Sequence, residues 1–190
     1  MKTPHLLTSL LAAALAAASL ASPFAAAVPL KTDPAKSSVA AVFKQMNVPV
    51  EARFKTFTAS IDYDAARPEL SKAAVEIATA SIDLGDAEYN REVAKKEWFN
   101  TAQFPKASFV STSIRAAGPG KLAVGGKLTL KGRVADVNFP LTVKSEAGKQ
   151  VFEGQLPIRR LAFNIGEGEW KDTSMVADEV VIKFRVTAGQ

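Results

Sequence analysis

From Ser37 onward the apolar residues of this chain fall mostly at every second position. Val39, Ala41 and Phe43 alternate with other residues, and Val75, Ile77 and Thr79 do so again after the turn-like Arg67-Pro68. Ala107, Phe109 and Ser111 continue the pattern, followed by Leu122, Val124, Gly126, Leu128 and Leu130. Val137, Phe139, Leu141 and Val143 form the next set. Leu161, Phe163 and Ile165, then Val180, Ile182, Phe184 and Val186, complete it. Residues two apart lie on one face of a strand, so these runs predict an all-β fold. Gly118-Pro119-Gly120 and Glu146-Ala147-Gly148-Lys149 supply turns between strands. Strands of small and mid-sized apolar residues, with few charges on either face, suit a closed antiparallel β-barrel. Closure removes exposed edges, and about eight strands leave room for one slender ligand.

One segment breaks the alternation. Asp86 to Trp98 holds no Gly or Pro and carries Glu88, Arg91, Glu92, Val93, Lys95, Lys96 and Glu97. It predicts one short helix, with Asp86 as its cap. Gly166 to Asp178 reads as a loop with helical turns. At the start, Lys2 and His5 precede an apolar run from Leu6 to Leu20, and Ala25-Ala26-Ala27 offers a small-residue cleavage site before Val28. Residues 1–27 therefore read as a signal peptide for export to the periplasm. Residues 28–36, with Pro29, Asp33 and Pro34, read as a flexible lead-in, and residues 37–190 as a single domain.

Composition narrows the chemistry. The chain has no Cys, and its one His is His5, within the expected signal. A mature domain without either lacks the commonest nucleophile–base pair and transition-metal ligands, so no catalytic residue, cofactor or metal site is expected. Asp62 and Asp64 lack the Gly and terminal Glu of a calcium loop and read as a strand end and a turn. Glu167, Glu169 and Asp172 read as a solvated acidic loop. Gly166-Glu167-Gly168 lacks the third glycine of a phosphate cradle and reads as a turn with close backbone approach. The net charge of +5 is mild. Its doublets, Lys95-Lys96 and Arg159-Arg160, read as solvated faces, and no basic stripe points to nucleic acid. Phe contributes 11 aromatic residues against two Trp and two Tyr. That excess suits either an ordinary core or a lined cavity, and sequence alone does not separate the two.

The block from Ser81 to Gly132 resembles the YceI-like family. It holds Ser81-Ile82-Asp83, Asn90-Arg91, Trp98-Phe99-Asn100, Phe104-Pro105-Lys106-Ala107-Ser108-Phe109 and Gly126-Lys127-Leu128-Thr129-Leu130-Lys131-Gly132. Ile165-Gly166-Glu167-Gly168-Glu169-Trp170 with Asp172-Thr173-Ser174 resembles the family's late loop, and Val180 to Phe184 its closing strand. The resemblance spans about Asp33 to Val186. It implies a lipocalin-like antiparallel barrel whose elongated apolar pocket holds a polyisoprenoid or quinone-like lipid. Many members carry an acidic residue and then a His after the central Arg. Here Arg91 is followed by Glu92, Val93, Ala94 and Lys95, so a head-group contact from that His is missing.

Together these readings predict a periplasmic carrier that is not an enzyme, with possible transient contact to a membrane surface. The expected pocket lining is Phe54, Val75 and Ile77 early in the chain. Phe109, Leu128, Leu130 and Phe139 follow in its centre, with Phe163, Ile182 and Phe184 near its end. A one-residue register error would turn any of these outward. Arg91 and Trp98 are expected at the rim, the Arg to meet a phosphate or quinone oxygen. The alternative is an accessory protein of membrane electron transport or stress response that binds quinone or a protein partner.

Overall fold

The structure is a computed structural model and describes residues 27–190. The expected signal peptide lies outside them except for Ala27. Eleven strands form one antiparallel sheet. In chain order they are β1 (Val28–Thr32), β2 (Ser38–Gln45), β3 (Val48–Phe54), β4 (Phe57–Tyr63), β5 (Lys72–Ala78) and β6 (Ile82–Asp83), then β7 (Lys106–Ala116), β8 (Lys121–Leu130), β9 (Arg133–Glu146), β10 (Lys149–Arg159) and β11 (Val176–Gly189).

Three pairs of these strands are halves of longer staves. Strands β1 and β2 run end to end along β11, with pairings Lys31 to Gly189 and Ser38 to Arg185 on either side of a 3-10 turn at Pro34–Lys36. Strands β3 and β4 form the second stave, pairing with β2 and β1 respectively. Strands β5 and β6 form the third, pairing with β4 and β3. The chain then passes through β7, β8, β9, β10 and β11, each hydrogen-bonded to the one before. Strand β11 closes the ring onto β1 and β2, giving an eight-staved up-and-down barrel. Residues 28–36 are thus a paired half-stave and a 3-10 turn, not an unstructured lead-in. Asp33 and Pro34 mark a break within a stave that resumes at Ser38.

Two-residue turns join three of the hairpins. Met46-Asn47, Lys131-Gly132 and Ala147-Gly148 all have positive φ at both positions. That is the type I′ geometry whose twist matches that of paired strands. The helix α1 (Ala87–Ala94) lies in the expected region, and Asp86 accepts from the Glu88 and Tyr89 amides at 2.7 and 3.1 Å. Leu161, Phe163 and Ile165 do not form the expected strand. Arg160–Phe163 is a 3-10 turn that ends at Asn164 in the left-handed region, φ 56°. There the chain leaves the sheet and wraps one end of the barrel until β11.

Candidate functional site

Alternate residues of every stave point into the barrel, and they do not fill it. A cavity of about 250 Å³ runs along the interior, lined almost wholly by aliphatic and aromatic side chains. Inward-facing Val75, Ile77, Phe109, Ile182 and Phe184 are only half-buried. A close-packed core would bury such side chains completely. The barrel is therefore hollow, which answers the question the sequence left open. The volume lies just under the usual range of ligand pockets, about 300–1,000 Å³, and favours a slender guest.

The lumen has two distinct ends. At one, α1 contributes Tyr89, Glu92 and Val93, three residues on one helix face. Gln45 joins them there, and Tyr89 is 57 % exposed. At the other end the lining reaches Asp62, Ser71 and Lys72. Ile61, Phe152 and Val186 form a small buried cluster at that end, and the Tyr63 ring stands edge-on to Phe152 at 5.3 Å.

Nine of the ten residues expected to line a pocket do line the lumen: Phe54, Val75, Ile77, Phe109, Leu128, Leu130, Phe139, Ile182 and Phe184. Phe163 does not. It is 4 % exposed and packs in the core, because the chain has already turned off the barrel wall. Trp98 lines the lumen, deeper than a rim position, at 8 % exposure. Its Nε1 is buried without a hydrogen-bond partner among the described residues. Arg91 is not brought to the lumen. Tyr89, Glu92 and Val93 occupy the inward face of α1, so Arg91 projects from the other side, with Glu88 at 3.7 Å.

The sequence reading missed Arg160. It is 2 % exposed, whereas Arg159 is exposed and paired with Asp178 at 3.3 Å. The Arg160 guanidinium donates five hydrogen bonds to backbone carbonyls. Nε reaches Ala177 at 3.0 Å, Nη1 reaches Ile165 and Gly166 at 2.9 and 3.2 Å, and Nη2 reaches Trp170 and Val176 at 2.6 and 2.7 Å. Its central carbon lies 5.7 Å from the Trp98 ring centroid, a cation–π arrangement, and Trp98 packs on Trp170 at 5.3 Å. Burial pushes the guanidinium pKa down, partly offset by Asp178. Gly166 lacks a Cβ where one would strike Nη1. The close approach read from Gly166-Glu167-Gly168 is therefore the approach of this arginine.

Lys131 is a second buried cation. Its Nζ donates to the Lys96 and Asn164 carbonyls at 2.7 and 2.6 Å and to Glu167 at 3.0 Å. That ion pair holds the Glu167 carboxyl below its ordinary range. Asp172 caps Ser174, and Asp64 accepts from the Ala66 and Arg67 amides, so these acids have structural roles. No group of three or more potential metal-ligating side chains occurs among the described residues. No helix among them is long and apolar enough to cross a membrane.

An up-and-down barrel of eight staves around an apolar lumen defines a class of proteins that enclose a ligand. Within that class, the YceI-like domain model matches residues 30–188, and the chain belongs to this family. The crystal structure of BcnA from Burkholderia cenocepacia superposes with a TM-score of 0.81 at 52 % identity, covering 83 % of this chain and 99 % of that one. A polyisoprenoid-binding domain from Saccharophagus degradans superposes at 0.66 with 18 % identity, covering 87 % and 99 %, a likeness of fold. UPF0312 proteins of Shewanella sp. (strain W3-18-1) and Shewanella oneidensis are 39 % and 38 % identical over 108 residues, 57 % of this chain. The chain spans about half the length of these curated relatives, 53 % of each.

Proposed function

We propose that this protein is an exported, non-catalytic carrier that holds a polyisoprenoid-type lipid inside its barrel. The observation that carries the reading is the hollow apolar lumen, about 250 Å³, with half-buried inward side chains and no charged group at its waist. Each CH₂-sized group moved from water into such a space contributes roughly 0.8 kcal/mol, so a long hydrocarbon binds without any ionic contact. The polyisoprenoid-binding domain of Saccharophagus degradans has the same fold, which supports the choice of lipid. The apolar run and Ala25-Ala26-Ala27 support export to the periplasm.

Organic-solvent extraction of the protein purified from its own periplasm, followed by mass spectrometry, tests the reading. A polyprenyl chain is the expected guest. A redox-active quinone would move the assignment to an accessory role in electron transport. Absence of any lipid, or a compact polar guest, would overturn it. Intact-mass analysis of the same material checks export, with a species beginning near Val28 as the expected result.

A further inference from the structure

We propose that a belt of three phenylalanines seated on two glycines sets how long a chain the lumen accepts; this rests on the lipid reading above. Phe109 on β7, Phe139 on β9 and Phe184 on β11 all line the lumen. Their rings meet edge to face, with centroids 5.4 Å apart for Phe109 and Phe139 and 5.5 Å apart for Phe139 and Phe184. The intervening staves contribute Gly126 on β8 and Gly154 on β10. A Cβ at Gly126 would stand 2.5 Å from the Phe109 Cζ, and one at Gly154 would strike the Phe184 ring. Each glycine is therefore a seat in which a ring lies back against the wall.

The belt crosses the middle of the lumen. The cross-strand partners of its end members are smaller, Val39 beside Phe184 and Val75 beside Phe109, so the remaining passage lies on that side. Toward α1 the lumen is lined by Leu130 and Ile158, and toward the far end by Leu122 and Phe152. A short guest fits in one chamber. A long one must thread past the rings. Filling a seat pushes its ring into the passage and penalises only guests that reach it.

Gly154→Ala is the sharpest test, because the three atoms nearest the added Cβ all belong to the Phe184 ring, whereas at Gly126 they include the Val110 carbonyl oxygen at 2.5 Å. The probes are the short prenol farnesol and the long prenol solanesol. Binding is read from the fluorescence of Trp98 and Trp170, the only two tryptophans, both lining the lumen. We expect Gly154→Ala to weaken solanesol about tenfold, the loss of roughly two buried CH₂ groups, and to change farnesol less than about twofold. Adding Phe184→Leu to that variant should restore solanesol. Phe184→Leu alone should raise the solanesol-to-farnesol affinity ratio, which keeps the test decisive if Gly154→Ala does not fold. An equal effect on both prenols, or an unchanged ratio in Phe184→Leu, would sink the belt. Failure of the wild-type protein to bind either prenol would remove the lipid reading, and the belt with it.

Discussion

Arg160, the first residue past the end of β10, and Phe184 on β11 both point into the same barrel, yet their surroundings are opposites. Around Arg160 every donor is used: five carbonyls converge on one guanidinium that is 2 % exposed. Around Phe184 the ring has a neighbour on one side and open lumen on the other. One end of the barrel is thus a filled polar clamp that ties residues 160–177 to the wall, and the middle is left unfilled. A buried polar network is costly when broken, while a hollow has little packing to lose. Stability should therefore reside in the clamp and ligand capacity in the lumen, so that substitutions separate the two properties.

The sharpest way to break that division is Arg160→Met. It retains bulk but strands five carbonyls, and uncompensated loss at a buried charged group costs about 3–5 kcal/mol. Urea denaturation should show a fall of that order, and Arg160→Lys should not recover it, since an ammonium cannot span carbonyls in a fork. A loss below about 1 kcal/mol would mean that the clamp is not where stability resides. Lys131→Met should cost less, about 2 kcal/mol, because its Nζ makes three contacts rather than five and Glu167 is partly exposed. The same measurement checks it.

The lumen was far more legible in the sequence than the clamp. Alternation with a strong apolar phase placed Val75, Ile77, Leu128, Leu130, Ile182 and Phe184 on the inner face, and closure into a barrel needs little more. The half-staves from Val48 to Tyr63 went unread although Val48, Val50, Ala52 and Phe54, then Phe57, Ala59, Ile61 and Tyr63, alternate cleanly; the break at Lys55-Thr56 shifts the phase and splits the stave into two short runs. Arg160 was missed for a different reason. Phe152, Gly154, Leu156, Ile158 and Arg160 form one period-two series, and that phase places Arg160 inside and Arg159 outside. Composition favours exposed arginines, and five backbone carbonyls gathered from a loop leave no residue-type signature. Arg91 failed because the helix was recognised but its inward face was not assigned.

For the lumen, Phe109→Trp sharpens the comparison. The extra ring has the wall behind it and open space in front, so it should occupy room that a guest needs. Retention of a polyprenol should fall about tenfold, equivalent to roughly two CH₂ groups excluded, while folding stability changes by less than about 1 kcal/mol. Denaturation and lipid retention on the same sample check this. A large stability loss with unchanged retention would reverse the roles assigned to lumen and clamp.

The smallest expected effect is that of pH, and it too should divide the two regions. The carboxyls of Asp33, Glu153 and Glu167 are held below their ordinary values, chiefly by hydrogen bonds from Lys149, from Lys144 and Arg185, and from Lys131 respectively. A carboxylate with a lowered folded-state pKa contributes stability that is present above its unfolded value, about 4, and is lost as pH falls through the folded value. With His5 the only histidine, no side chain of the described residues has an ordinary pKa between about 5 and 8. Melting temperature should therefore be flat across that interval and decline below about pH 4. In Lys131→Met the acid limb should be shallower, because Glu167 loses the largest of the interactions that lower its folded-state pKa and keeps only the weaker pull of Lys171 and Arg133. Polyprenol retention should not follow the acid limb until the protein unfolds, since no titratable side chain belongs to the belt at the waist. Retention falling ahead of unfolding would show that a charged group at one end of the lumen, Glu92 or Asp62, grips the guest after all.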